Sequence, residues 1–139
     1  MKNKSSILIV LLIFLPALFV SCELDEDDDP LADIRDKFIG TWRLNESEAK
    51  SSMAFYDILI NIDPGNTSQV LIRNFANTGS NRTVYGIVTT NQITVPAQTI
   101  ASLDVSGLGV LTSNNRMNWT YSVNDGADLI NYTALAEKQ

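Results

Sequence analysis

Met117-Asn118-Trp119-Thr120-Tyr121-Ser122-Val123 reads apolar, polar, apolar without a break. A period of two puts Met117, Trp119, Tyr121 and Val123 on one side of an extended chain and the polar residues on the other. That is the pattern of a β-strand with one buried face. Turn residues punctuate both ends, Ser113-Asn114-Asn115 before and Asn124-Asp125-Gly126 after. In a row with Met117 and Val123, Trp119 reads as core. Pointed outward beside Tyr121, it would instead offer a stacking surface to a sugar.

The same rhythm repeats on both sides. Residues 128–136 make a last strand, and residues 103–111 alternate around Gly107 and Gly109. Ile93-Thr94-Val95 is ended or edged by Pro96. Residues 83–88 are rich in β-branched side chains around Tyr85, and residues 69–75 run into a loop over 76–81. Ala54, Tyr56, Ile58, Ile60 and Ile62 form one long apolar row closed by Asp63-Pro64-Gly65-Asn66, and Thr41-Trp42-Arg43-Leu44-Asn45 sets Trp42 and Leu44 on one face. Short strands with turn signals about every 8–12 residues predict a barrel or sandwich of about eight strands. Without crossover helices, the connections are hairpins, and closing the meander removes exposed edges. Gly107 and Gly109 would let the sheet bend or let something lie against its backbone, bending being the commoner use.

Ahead of these strands, Asp29 can cap a helix that Pro30 opens, and Leu31, Ile34 and Phe38 share its apolar face until Gly40 ends it. The predicted fold is therefore all-β, a small antiparallel up-and-down barrel or sandwich with a short N-terminal helix.

The N-terminal region has a different grammar. Lys2 and Lys4 precede an almost wholly apolar stretch over residues 7–20, followed by Ser21 and the chain's single cysteine, Cys22. This is the layout of a secretory signal, and it falls short of the about 20 apolar residues of a stable span. One cysteine excludes an internal disulfide. Leu18-Phe19-Val20-Ser21-Cys22 resembles a lipobox, with Phe19 where the motif prefers Leu. The resemblance implies cleavage before Cys22 and lipid on its sulfur, and several acyl chains make such an anchor stable.

Six carboxylates then fall within residues 23–29. Such a block self-repels and stays solvated, and it resembles the acidic surface-export signal of Bacteroidota-type lipoproteins. The expected organisation is a signal peptide over 1–21, a lipidated cysteine and acidic linker over 22–30, and a β domain over 31–139. An outer-membrane lipoprotein exposed at the cell surface is the implied location, with a periplasm-facing one as the alternative. The chain of 139 residues carries a net charge of −6, of which the part after the linker keeps only about −2. No basic stripe is present, so nucleic acid is not an expected partner.

Phe38-Ile39-Gly40-Thr41-Trp42 resembles the Gly-x-Trp signature of lipocalins, most closely the lipocalin-like domains of small Bacteroidota-type lipoproteins. The resemblance implies that Gly40 and Trp42 close one end of a barrel, with the Trp ring stacked against a basic side chain near the last strand. Lys138 and Arg116 are the candidates for that partner.

Chemistry is sparse. The chain has no histidine, which removes His-activated nucleophiles and the usual zinc ligand. A glycosidase would need two facing carboxyl groups. The domain's candidates, Asp57, Asp104, Asp125 and Asp128, mostly sit beside turn residues. No enzyme activity, cofactor or metal is expected. Tyr56, Tyr85, Trp119 and Tyr121 are the candidate ligand-lining residues. The leading reading is a membrane-anchored, non-enzymatic module binding a small apolar molecule or a saccharide, which calls for a cavity lined by the inward rows. The alternative is an accessory lipoprotein that docks on an envelope protein partner, motivated by the lack of a convergent polar cluster.

Overall fold

The computed structural model describes residues 32–48 and 51–139. The signal segment, Cys22, the acidic linker and the proposed helix start at Asp29 to Leu31 lie outside the described residues.

Eight strands follow one another as β1 (Gly40–Glu48), β2 (Ser51–Ile62), β3 (Gln69–Arg73), β4 (Thr83–Val88), β5 (Gln92–Ile100), β6 (Leu103–Ser113), β7 (Arg116–Asn124) and β8 (Leu129–Lys138). Each pairs antiparallel with its successor, and β8 returns to pair with β1 from Trp42↔Lys138 to Glu48↔Tyr132. That last pairing removes the sandwich alternative: the sheet is a closed barrel. Every strand has a paired neighbour on each side, so no whole edge strand is left to template another chain.

Alternation decides what fills it. Trp42 and Leu44 on β1, Tyr56, Ile58 and Ile60 on β2, and Met117, Trp119 and Tyr121 on β7 all point inward and are buried. Ile62, at the end of its row, is exposed. Trp42, Leu44, Ile58, Ile60, Ile72, Phe75, Ile93 and Met117 expose 0% of their surface, so no water-sized void touches them. Around these residues the interior is filled.

The connections sort into two ends. The β2–β3, β4–β5 and β6–β7 turns lie with the start of β1 at one end, the base. The β3–β4, β5–β6 and β7–β8 connections lie at the other end, the mouth.

Three local expectations change. Of the N-terminal helix, whose start lies outside the described residues, the structure describes a 3-10 turn, Asp36–Phe38, which buries Phe38, while Ile34, expected on the same apolar face, stays exposed. Pro96 neither ends nor edges its strand. A register shift between Val95 and Gln98 absorbs it, and the Gln98 side chain bonds both Tyr85 N and Tyr85 O, replacing ladder bonds that Pro96 cannot supply. Phe75 does not end β3. It begins a second 3-10 turn, Phe75–Asn77, inside the β3–β4 loop.

Candidate functional site

At the base, the residues of the lipocalin-like signature converge. Trp42 is fully buried, and its Nε1–H donates to Phe38 O at 2.8 Å. Lys138 Nζ stands 5.5 Å from the Trp42 ring centroid, within cation–π reach, and donates to Lys37 O at 3.1 Å. Arg116 is turned away to Glu137 at 2.8 Å, so Lys138 is the basic side chain over the ring. Gly40 has φ +127°, and a Cβ there would come 3.2 Å from Lys138 Cε. Only glycine takes that backbone and leaves the lysine its path. Arg35 crosses the same end. Its Nη1 donates to Asp63 O, Asn66 O and Gln69 O at 3.1, 2.8 and 3.1 Å, while Asp33 holds its other nitrogens. The whole β2–β3 turn is pinned by one guanidinium.

The mouth is built differently. Tyr56 OH and Tyr121 OH lie 2.8 Å apart, and Tyr121 OH also donates to a Glu46 carboxylate oxygen. Burial is the first cause that pushes both phenols well above the ordinary tyrosine value, so they keep their protons and act as donors. Tyr132 stacks on Tyr121 with centroids 5.2 Å apart and planes 17° from parallel. Phe75 descends into the same space, 5.2 Å from Tyr121 and 5.4 Å from Trp119 between ring centroids. Trp119 exposes 1% of its surface, and its Nε1–H has no hydrogen-bond partner.

The inward glycines make room for these rings. A Cβ on Gly107 would sit 3.1 Å from Phe75 Cζ, and one on Gly109 would sit 2.7 Å from both Cε2 and Cζ2 of Trp119. Of the two uses open to glycine in β6, close approach to the backbone is the one the structure displays.

Tyr56, Trp119 and Tyr121 are thus brought together. Tyr85 is not: it faces out from β4, whose Val84, Gly86 and Val88 take the inward positions, and it lines no part of the interior. The domain's carboxylates hold other posts. Asp57 pairs with Arg43 at 2.9 Å, Asp104 accepts from Thr99 Oγ1 at 2.6 Å, and Asp125 accepts from the backbone of Ala127 and Asp128. Among the described residues, no group of three or more His, Cys, Asp or Glu could hold a metal ion.

Sequence reasoning passed over two residues of the mouth. Glu46 continues the inward row Trp42, Leu44, Glu46, a signal visible in the alternation one step beyond the strand read over residues 41–45. Phe75 was hidden by its place at the end of an apolar strand. Hollows lined by described residues lie on the outer wall, one of about 460 Å³ beside Asn45, Asn118, Thr120, Thr133 and Leu135.

No protein-family profile matches the chain, and no curated protein matches it. Among solved structures, the chain is similar to one described as EF1p2_mFAP2b bound to DFHBI, at 14% identity and a TM-score of 0.53 over 78% of this chain and 100% of that one. It is also similar to a redesigned β-barrel, b11L5F_LGL, at 15% identity and a TM-score of 0.54 over 78% of this chain and 97% of the other. Likeness at this level of identity speaks to fold alone. Closed, antiparallel, eight-stranded and all-β, the domain is a barrel of lipocalin-like architecture.

Proposed function

We propose that this chain is an envelope-anchored binding module, held by lipid on Cys22, whose barrel takes a small, largely apolar molecule through its mouth. The observation that carries the reading is the meeting of Glu46, Tyr121 and Tyr56 inside an otherwise aromatic end. A barrel that served only as a spacer would gain nothing from a half-buried carboxylate, since removing charge from water is costly unless it is matched. Glu46 accepts from Tyr121 and has further lone pairs to offer. Aromatic walls with one acceptor suit an apolar molecule bearing an N–H or O–H group. One structural neighbour is bound to DFHBI, a precedent for ligand binding in a similar fold. The convergent polar group is also the feature whose lack had favoured an accessory role.

Titrating the full chain with neutral N-phenyl-1-naphthylamine tests this reading by NMR. Shifts are expected at Glu46, Tyr56 and Tyr121 and should weaken in Glu46→Gln. Silence throughout the barrel would overturn the reading.

The accessory reading keeps one specific support. Phe55 is 66% exposed, and it lies across Asn45 from Leu135 on the outer wall. That reading expects an envelope protein to co-purify with the wild type and to be lost in Phe55→Ser.

Anchoring is proposed from the sequence, with the acidic linker holding the barrel off an outer membrane and outside the cell. Cys22→Ser should move the protein from the membrane fraction to the soluble one. A variant still bound to membrane would defeat the anchor.

A further inference from the structure

We infer that Phe75 is a displaceable plug, and that the space its ring occupies beside Trp119 is a site for a planar aromatic group carrying a hydrogen-bond acceptor. The inference deepens the binding reading and rests on it.

Three observations converge. The first is the chain that carries the ring. The β3–β4 ladder ends at Arg73↔Thr83, so Phe75 belongs to no strand and can leave without breaking one. Its loop is tied to β2 by one side-chain bond, Asn74 Nδ2 to Asp57 O, and otherwise within itself, by Gly79 N to Asn74 Oδ1 and Thr78 Oγ1 to Phe75 O. Asn74, Ala76 and Asn77 stand at φ 59°, 52° and 54°, a left-handed cluster that a non-glycine chain rarely adopts. The loop holds an unfavoured backbone around one buried ring.

The second is the wall behind the ring. Gly107 brings bare backbone against Phe75, and Gly109 does the same for Trp119. Tyr121, paired with Gly107 on the neighbouring strand, sets its ring 5.2 Å from that of Phe75, and these surfaces together bed a flat group rather than that residue alone.

The third is the unmatched donor. The indole of Trp119 is one wall of the slot, and its Nε1–H finds no partner, whereas the corresponding N–H of Trp42 has Phe38 O. Buried donors are almost always paired. Phenylalanine meets Trp119 edge to face, at 62° between planes, and carries no acceptor. A ring of the same size that carries one would fill the slot and satisfy the donor together.

Pyridine and benzene, equal in shape and different in that one acceptor, test the inference. The probes are added to the full chain at neutral pH, with the two indole N–H resonances assigned through their contacts with Phe38 and Phe75. Pyridine should move the Trp119 N–H downfield, leave Trp42 in place and bind more tightly than benzene. Phe75→Ala should bind pyridine at least about tenfold more tightly if the plug is out in a tenth of molecules or fewer. Phe75→Leu, which keeps apolar bulk, should fall between and serves if the alanine variant fails to fold. A response in Phe75→Ala with none in the wild type would make Phe75 a fixed core residue and overturn the plug. Equal binding of the two probes would overturn the role of the Trp119 N–H as the donor that selects an acceptor. Shifts at Glu46, Tyr56 and Tyr121 that leave Trp119 untouched would sink this inference while the binding reading stands. If neither these probes nor the naphthylamine moves any barrel resonance, both fall.

Discussion

The base and the mouth of this barrel use the same kinds of residue to opposite effect. Each has a buried tryptophan, and each is crossed by a segment outside the strands. At the base, the Trp42 N–H is matched by Phe38 O, its ring by Lys138, and the crossing segment is locked through Arg35 to three carbonyls. At the mouth, the Trp119 N–H is unmatched, and the crossing segment carries three left-handed residues around Phe75. A Glu46 carboxylate stands among rings there. Sequences that specify a structure satisfy local rules everywhere except where function interferes. The base keeps those rules and reads as closure. The mouth breaks several within a few ångströms and reads as a site.

The largest expected effect tests that contrast directly. Trp42→Ala removes a fully packed ring and leaves Phe38 O without its donor, and should cost about 4 kcal/mol in urea unfolding. The cost of such truncations depends on how far the surroundings can collapse. A loop free to settle into the gap should hold Phe75→Ala to about half that value. Equal losses at the two positions would show the mouth to be as rigid as the base.

Next in size is Gly109→Ala. The added methyl would sit 2.7 Å from two Trp119 ring carbons and 2.9 Å from Met117 Sδ, so the indole has to move. Overpacking of this kind costs about 2 kcal/mol. The same push should shift the Trp119 N–H resonance and leave that of Trp42 unchanged. A shift at both would mean the ends are coupled through the core.

A matched pair of substitutions sharpens the comparison further. Trp42→Phe strands a buried carbonyl, while Trp119→Phe removes a donor that had no partner. Leaving a buried polar atom unsatisfied costs about 1–3 kcal/mol. Both changes lose similar ring area, so Trp119→Phe should be the milder by about 1–2 kcal/mol on that ground. If it proves the more damaging, the N–H of Trp119 is matched in solution and the unmatched-donor argument loses its footing.

What could be read from the sequence divides along the same line. Strands were legible because alternation is strict where one face is buried, and Trp42, Ile58, Trp119 and Tyr121 all announce their side. Pro96 misled because its cost is local, and a bulge with the Gln98 side chain absorbs it. The closure of β1 on β8 joins residues as far apart in the chain as Trp42 and Lys138, and no local pattern encodes it. The mouth was the least legible part. Glu46 obeys the period of two but violates the expectation for charge. Phe75 turns inward only because Asn74 at φ 59° redirects the chain after β3. Tyr85 looked equal to Tyr56 by type, and only strand phase separates them.

The smallest effect separates the two ends by pH. At the base, the side-chain bonds from Arg35, then its backbone N–H, lower the Asp33 carboxyl from 3.8 to about 2. A depressed acid contributes stability that is complete above its ordinary value and lost as pH falls through about 2. Asp33 is a third exposed, and solvent screening keeps the contribution small. At the mouth the sign reverses. Burial raises Tyr56 and Tyr121 above the ordinary 10.0, so their contribution is complete below that value and fades as alkali ionises the unfolded chain first. The urea midpoint should therefore fall below pH 4 and again above pH 10, as about the ordinary carboxyl and phenol values dictate. Asp57 and Asp125 are lowered too, by Arg43 and by the backbone N–H groups of their turn, so the wild-type acid limb is a composite. Asp33→Asn should flatten the acid limb in part and leave the alkaline one alone, and Tyr121→Phe should do the reverse. An acid limb unchanged in Asp33→Asn would remove Arg35 and Asp33 from the closure of the base. An alkaline limb unchanged in Tyr121→Phe would mean that water already reaches the mouth, and that its phenols are not held as donors toward Glu46.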